Sequence, residues 1–205
     1  MDGITITPAR AELKDEIKRL TAQTYEEHRQ RQPFAFPKNY VQEIEFGLID
    51  AAFRSDTSAE LAESPLVFAA HLGDQFLGYV RLNSFARKDR PTQPSVTISD
   101  IYVVPEHRGK HVGRALLAHV QNLCRERDWD NLMAQVWSGN AASASLFKAA
   151  GFSEQYRSYR FGPVRQARDW VLPKPAKLAF RAEILALALV LSIMIGIAAI
   201  IGLAR

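Results

Sequence analysis

The stretch Ile101-Tyr102-Val103-Val104-Pro105-Glu106-His107-Arg108-Gly109-Lys110-His111-Val112-Gly113-Arg114 decides how the chain is read. An apolar, aromatic run ends a strand, Pro105 stops it, and glycines open a turn. Val112, Leu116, Val120, Leu123 and Cys124 then recur at helical spacing. Where a strand turns into a helix start, unpaired backbone N–H groups and the positive end of the helix dipole converge, and such a point binds anions. Arg108, Lys110 and Arg114 add fixed positive charge, while Gly109 and Gly113 let backbone approach a phosphate. By residue type this is a pyrophosphate cradle. The same residues also suit an ordinary solvated helix start. The segment carries neither the G-x-G-x-x-G dinucleotide fingerprint nor a phosphate loop's Gly-Lys-Ser/Thr.

Outward from this segment the pattern alternates. Downstream, a helix over Gly109–Arg127 leads to a strand over Leu132–Trp137. A helix follows over Ala141–Ala150, with Asn140 as N-cap and Gly151 as stop, and then a strand over Phe152–Phe161. Upstream lie a strand over Ser95–Val104, a polar loop over Ser84–Pro94, and strands over Leu66–Leu72 and Gln75–Asn83. The two-residue turn Gly73-Asp74 joins that pair. Before these come a helix over Tyr40–Arg54, a break at Gln32–Pro37, a helix from Pro8 to about Arg31, and a short strand over Ile4–Thr7. The order β α α β β β α β α β is a mixed α/β domain over residues 1–161.

Composition narrows the function classes. The 205 residues are 47% hydrophobic and 23% charged, which excludes wholesale disorder and low-complexity architecture. A single cysteine excludes an intramolecular disulfide framework and any zinc site needing two thiolates. His28, His71, His107, His111 and His119 show no ligand spacing, so no metal is expected. The net charge of +4 is too weak to argue for nucleic acid, and no nucleic-acid partner is expected.

The averages conceal residues 184–204, ILALALVLSIMIGIAAIIGLA, which hold 21 residues without a charge, an aromatic or a proline. As a helix they would span about 31 Å, the thickness of a bilayer's hydrocarbon core. The expectation is a single-pass, tail-anchored protein. Arg165, Arg168, Lys174, Lys177 and Arg181 precede the stretch and only Arg205 follows it, so the N-terminal domain should face the cytoplasm, of a bacterial inner membrane by preference. Residues 162–183 read as a basic, Pro-containing linker. Ala188, Ser192 and Gly196 share one helix face, which suits a possible homodimer seam.

The stretches IYVVPEHRGKHVGRALL and NLMAQVWSGNAASASLFKAAGF together resemble the GNAT superfamily of N-acetyltransferases, and the order of elements over residues 3–160 agrees. The resemblance implies a GNAT-type mixed sheet whose central parallel strands, Ser95–Val104 and Leu132–Trp137, splay apart. It implies acetyl-CoA as co-substrate and an amine acceptor, of a protein or a small molecule. The pantetheine arm would pair with backbone at Ile101 and Val103. Tyr102, Arg108, Gly109, Lys110, His111, Val112, Gly113 and Arg114 would surround the coenzyme, with Asn140 and Phe147 beside it.

Departures from the family pattern bear on the mechanism. His111 stands where the family usually has Gly. Phe147 stands where many members carry a Tyr general acid. Ser99 and Gln135 stand where members place a Glu base, and neither can serve as one. Asp100 is the nearest carboxylate to the splay and the candidate base, with Tyr102, Tyr156 and Tyr159 as candidate acids or substrate walls. Thiolate departure needs no strong acid, since a thiol of pKa about 8.5 leaves readily. Phe34, Phe36 and Tyr40 of the Gln30–Tyr40 segment are candidate acceptor contacts, and Asp50, Asp56, Glu60 and Glu63 could attract a cation. The second expectation is a catalytically weak acyl-CoA sensor or regulatory protein at the membrane. A third is an interaction module that keeps the fold without the ligand.

Overall fold

A computed structural model describes residues 3–32, 38–54, 66–85, 95–129 and 131–156, all within the unit Met1–Trp170. Its elements are β1 (Ile4–Pro8), α1 (Lys14–Arg31), α2 (Phe46–Arg54), β2 (Leu66–Leu72), β3 (Gln75–Phe85), β4 (Ser95–Val103), α3 (Val112–Glu126), β5 (Asn131–Ala134) and α4 (Ala141–Ala149). A 3-10 turn, Ala11–Leu13, precedes α1. A second, Pro105–His107, follows β4, and a π turn, Val41–Glu45, leads into α2.

The five strands pair in chain order. The β1–β2, β2–β3 and β3–β4 ladders are antiparallel, and β4–β5 is parallel. The parallel step needs a crossover, which α3 supplies. Helix α3 buries Val112, Leu116, Leu117, Val120 and Leu123 against Phe68, Val80, Leu82, Val96 and Ile98 on one face of the sheet. On the other face Ile17 and Leu20 of α1 and Ile49 of α2 pack on Val67, Tyr79 and Tyr102. The sheet thus lies between two apolar layers, with α1 and α2 opposite α3.

Several expected boundaries move for identifiable reasons. Pro8 belongs to β1, in register with Phe68, so the first helix begins only at Lys14. The third helix begins at Val112, because Gly109 and His111 both hold a left-handed backbone (φ 75° and 65°). The strand expected to reach Trp137 ends at Ala134. The last expected strand does not form over its described part, residues 152–156. There the chain instead finishes α4. The Phe152 amide donates to Phe147 O at 3.0 Å, the Gly151 amide to Lys148 O at 3.0 Å, and the Phe152 ring meets Phe147 edge-on at 5.2 Å. This is a Schellman stop sealed by its apolar pair. Residues 157–161, the linker at 162–183 and the apolar stretch at 184–204 lie outside the described residues. Among the described residues no helix is long and apolar enough to cross a membrane.

Candidate functional site

Strand β4 outlasts its parallel partner. The β4–β5 ladder runs from Ser95↔Asn131 to Ile98↔Ala134 and stops, while β4 continues to Val103. On its other edge β4 stays paired with β3 up to Gly78↔Val103, and the Val104 amide donates to Leu77 O at 2.9 Å. Backbone groups alternate in direction along a strand, so Ile101 and Val103 point their N–H and C=O away from β3, into the gap that β5 leaves. An extended polar chain laid in that gap meets the N–H and C=O of Ile101 and the N–H of Val103, which pair with no other strand among the described residues.

The gap opens onto the start of α3. No side chain caps that helix, whose first carbonyl link is the Ala115 amide to His111 O at 3.0 Å. The first-turn amides therefore face outward, beside the exposed side chains of Arg108, Lys110, His111 and Arg114. Val112 and Gly113 are buried, and a Cβ on Gly113 would lie 3.1 Å from Leu146 Cδ2. Gly113 thus lets α3 settle close to α4. Gly109, at φ 75°, takes a conformation few side chains tolerate. His111 holds the same conformation with an imidazole attached.

Two expected coenzyme contacts are engaged within the chain. Arg108 Nε donates to Val103 O at 3.0 Å, and its guanidinium sits 5.5 Å from the Tyr102 ring centroid. Arg108 is therefore turned back on β4, and the Val103 carbonyl already has a donor. The Asn140 side chain accepts from the Ser143 amide at 3.2 Å, so it acts as the helix cap. Phe147 is buried in the α3-side core. The Tyr102 side chain lies on the opposite face, stacked on Tyr79 at 6.2 Å.

That opposite face joins Asp100, the candidate base, to Thr21, Tyr25, Glu45, Tyr79 and Arg81, which the sequence did not single out. The β3–β4 register pairs Arg81 with Asp100 but Leu82 with Ile98, so Ser99 is a bulge. Val96 and Ile98 face α3, whereas Asp100 and Tyr102, after the bulge, face α1. A bulge that re-aims a side chain is a frequent device beside reactive centres. Asp100 is 8% exposed; its Oδ2 accepts from Tyr79 OH at 2.5 Å and from Thr21 Oγ1 at 3.3 Å. Beside it the fully buried Arg81 Nη2 donates to Glu45 Oε2, and Tyr25 OH donates to Glu45 Oε1 at 2.7 Å. The π turn delivers Glu45 inward, 3% exposed.

Burial pushes Asp100 above the ordinary carboxyl range. The Tyr79 hydrogen bond, the Arg81 charge and the Thr21 hydrogen bond pull it back, and Glu45 pushes it up. Burial, Asp100 and the shared hydrogen bond raise Tyr79, so its hydroxyl keeps its proton. Burial and Glu45 raise Tyr25 likewise. The one sequence signal for this cluster was Arg81 inside the apolar run Leu77–Leu82. Tyr156 lies elsewhere. It is 70% exposed in the segment after α4, its hydroxyl accepting at 3.3 Å from Nε2 of Gln135, the residue that follows β5, and no described contact joins it to Asp100. Phe34, Phe36, Tyr159, Asp56, Glu60 and Glu63 lie outside the described residues. Asp50 pairs with Lys18 at 2.7 Å. Among the described residues no group of three potential ligands is arranged for a metal.

Comparison with known proteins adds family evidence. The acetyltransferase (GNAT) family profile matches residues 18–152. A [ribosomal protein bS18]-alanine N-acetyltransferase of Escherichia coli (strain K12) is 25% identical over 137 residues, 64% of this chain and 92% of that protein. A streptothricin acetyltransferase of Streptomyces lavendulae is 40% identical over 58 residues, 28% of this chain; the match spans only 31% of that protein. Among solved structures, AAC(6')-Iy in complex with a CoA-containing bisubstrate analogue superposes with a TM-score of 0.53 at 16% identity, over 78% of this chain and 97% of that one.

Proposed function

The chain belongs to the GNAT family of acetyltransferases, and from that premise we propose that it carries an acetyl group from acetyl-CoA to an amine by direct transfer. The observation that carries this reading is the end of the β4–β5 ladder at Ile98 and Ala134, ahead of an uncapped helix start ringed by Arg108, Lys110, His111 and Arg114. The gap suits a pantetheine arm, with Ile101 backbone as its partner. The amides of Val112, Gly113 and Arg114 suit a pyrophosphate. Arg108 must release Val103 O when the arm pairs there, and it then becomes a third cation for the phosphates.

The amine approaches from the α1 side, where the bulge has turned Asp100. A neutral nitrogen attacks the thioester carbonyl. Its proton passes to Asp100, through one water at this depth of burial, and the carbon–sulfur bond breaks to release the thiolate. No acid on α4 takes part, because Phe147 stands in the core. A protein N-terminal α-amine is the first acceptor to test, since the bS18-alanine enzyme, which this chain matches over 92% of its length, acts by name on alanine of a ribosomal protein. A small amine is the other class, in line with the streptothricin enzyme.

In this proposal residues 184–204 anchor the chain in a membrane with the acetyltransferase domain on the cytoplasmic side, and Ala188, Ser192 and Gly196 form a homodimer seam. The support is sequence: an uncharged apolar run of bilayer length and a cation excess upstream. A second reading, an acyl-CoA sensor with little turnover, draws on the engagement of Asp100 Oδ2 by two hydroxyls. The test is release of CoA thiol from acetyl-CoA by the full chain, with N-terminal-alanine peptides and a panel of small primary amines as acceptors. Saturable, acceptor-dependent release supports the enzyme. Bound coenzyme with no release across the panel supports the sensor.

A further inference from the structure

We propose that Tyr79 is a positioning residue for acyl transfer: its hydroxyl, with that of Thr21, holds the Asp100 carboxylate in one orientation on the α1 side of β4. The inference rests on Asp100 being the base and goes beyond it, because Tyr79 lies on a different strand and touches no substrate.

Tyr79 is fully buried, so its hydroxyl needs partners within the protein. It has two, Asp100 Oδ2 at 2.5 Å and Thr21 Oγ1 at 2.9 Å. Thr21 closes the triangle 3.3 Å from the same Oδ2: with the Tyr79 proton on Oδ2, the single Thr21 proton is shared between Oδ2 and the Tyr79 oxygen. The Tyr79 ring is stacked on Tyr102 at 6.2 Å with 19° between planes, so the hydroxyl cannot swing aside. Both hydroxyls thus converge on Oδ2. Among the described residues no hydrogen bond reaches Oδ1, which is left as the oxygen that takes a proton. Three elements fix this geometry: α1 through Thr21, β3 through Tyr79, and the bulge in β4.

Titratable groups face Asp100 from every described element packed on it. From α1 come Tyr25 and His28, from the π turn Glu45, from β3 Arg81 and Tyr79, and from β4 Tyr102. Of the groups that favour the carboxylate form, Tyr79 acts most strongly, ahead of Arg81 and Thr21. Burial alone would leave Asp100 protonated over a wider pH range, unable to accept a proton. Tyr79 opposes that while fixing direction.

The test is a carbon-13 titration of the full chain labelled at aspartate carboxyls, with the Asp100 signal assigned by its loss in Asp100→Asn. Tyr79→Phe keeps the ring and removes only the hydroxyl. It should raise the Asp100 midpoint by about one pH unit, since a hydrogen bond to a charged group contributes roughly that much. Thr21→Val, which keeps the shape, should move it the same way by less, and serves where Tyr79→Phe does not fold. In parallel, acetyl-CoA cleavage with water as acceptor should lose more rate at pH 6 than at pH 8 in Tyr79→Phe, with KM for acetyl-CoA unchanged. An unmoved midpoint in both folded variants overturns the positioning role and leaves the base assignment standing. Wild-type cleavage by Asp100→Asn overturns the base assignment, and any role of Tyr79 in the reaction with it.

Discussion

Asp100 lies directly across the β3–β4 ladder from Arg81, and the Ser99 bulge turns it to the face where Arg81 meets Glu45. Two carboxylates, one guanidinium and four hydroxyls, those of Thr21, Tyr25, Tyr40 and Tyr79, are thereby gathered beside α1. A cluster this buried is costly to assemble and costlier to break in half.

The first prediction concerns that cost. Arg81 is fully buried, and its Nε and Nη1 have no hydrogen-bond partner among the described residues, so Glu45 is its main compensation. Glu45→Ala should destabilise the fold by about 3–5 kcal/mol by leaving a buried cation unpaired. Glu45→Leu combined with Arg81→Met should restore most of the loss, measured by denaturant unfolding of both singles and the double. Equal losses in the single and double variants would contradict this account of the pair.

The second prediction separates chemistry from binding. Asp100→Asn keeps the size of the side chain and removes the base. Turnover should fall by about 100-fold or more, in line with loss of general-base catalysis. Calorimetric affinity for acetyl-CoA should stay within about twofold, because the proposed coenzyme contacts are backbone groups at the β4 edge and the start of α3, not the Asp100 side chain.

The third concerns His111. A non-glycine residue in the left-handed region costs about 1–2 kcal/mol, reduced for Asn, Asp and His, and glycine gives back part of the gain as chain entropy. His111→Gly should therefore stabilise the chain by about 0.5–1 kcal/mol, read as a rise in Tm, with acetyl-CoA affinity undiminished. A fall in Tm would mean that the imidazole makes a contact that outweighs the strain. Gly109→Val should do the reverse, straining the turn at φ 75° and weakening coenzyme binding.

A fourth prediction follows from buried titrating groups of opposite sign. Burial lowers His28 and His119 below the ordinary histidine value; His119 Nε2 is buried with no hydrogen-bond partner among the described residues, its ring 4.7 Å from that of Phe68. The unfolded chain binds these protons more readily, so stability present above about pH 6.5 should be lost as pH falls toward the folded values. Asp100 behaves oppositely. The folded state holds its proton more tightly, so stability from this group declines as pH rises from the unfolded carboxyl value through the raised folded one. His119→Gln should flatten the loss between pH 7 and 5, measured by urea unfolding at each pH.

The sequence showed much of the fold because its patterns are local. Gly73-Asp74 between two apolar runs gave the β2–β3 hairpin, and Val112, Leu116, Val120 and Leu123 gave the buried face of α3. Asn140 capped α4 as its residue type suggests. The glycine-containing turn before α3, with its exposed cations, was legible for the same reason, since these residues sit together in the chain. The partners of Asp100 in the α1-side cluster were not legible. Thr21, Glu45, Tyr79 and Asp100 come from four separate elements, and strict alternation along β4 would have sent Asp100 to the same face as Val96 and Ile98. Only the Ser99 bulge, a consequence of pairing with β3, reverses that. The end of α4 misled for a related reason: Phe152 resembles a strand residue, but its partner is Phe147, one helical turn back.

The most direct test of the central claim is calorimetric titration of acetyl-CoA into the full chain. The account predicts saturable binding of one coenzyme per chain, with Kd between about 1 μM and 1 mM as for the substrates of most enzymes, and its loss when Gly109 and Gly113 are both replaced by valine. A folded chain that takes up no acetyl-CoA, or a double variant that binds as tightly as the natural sequence, would contradict it.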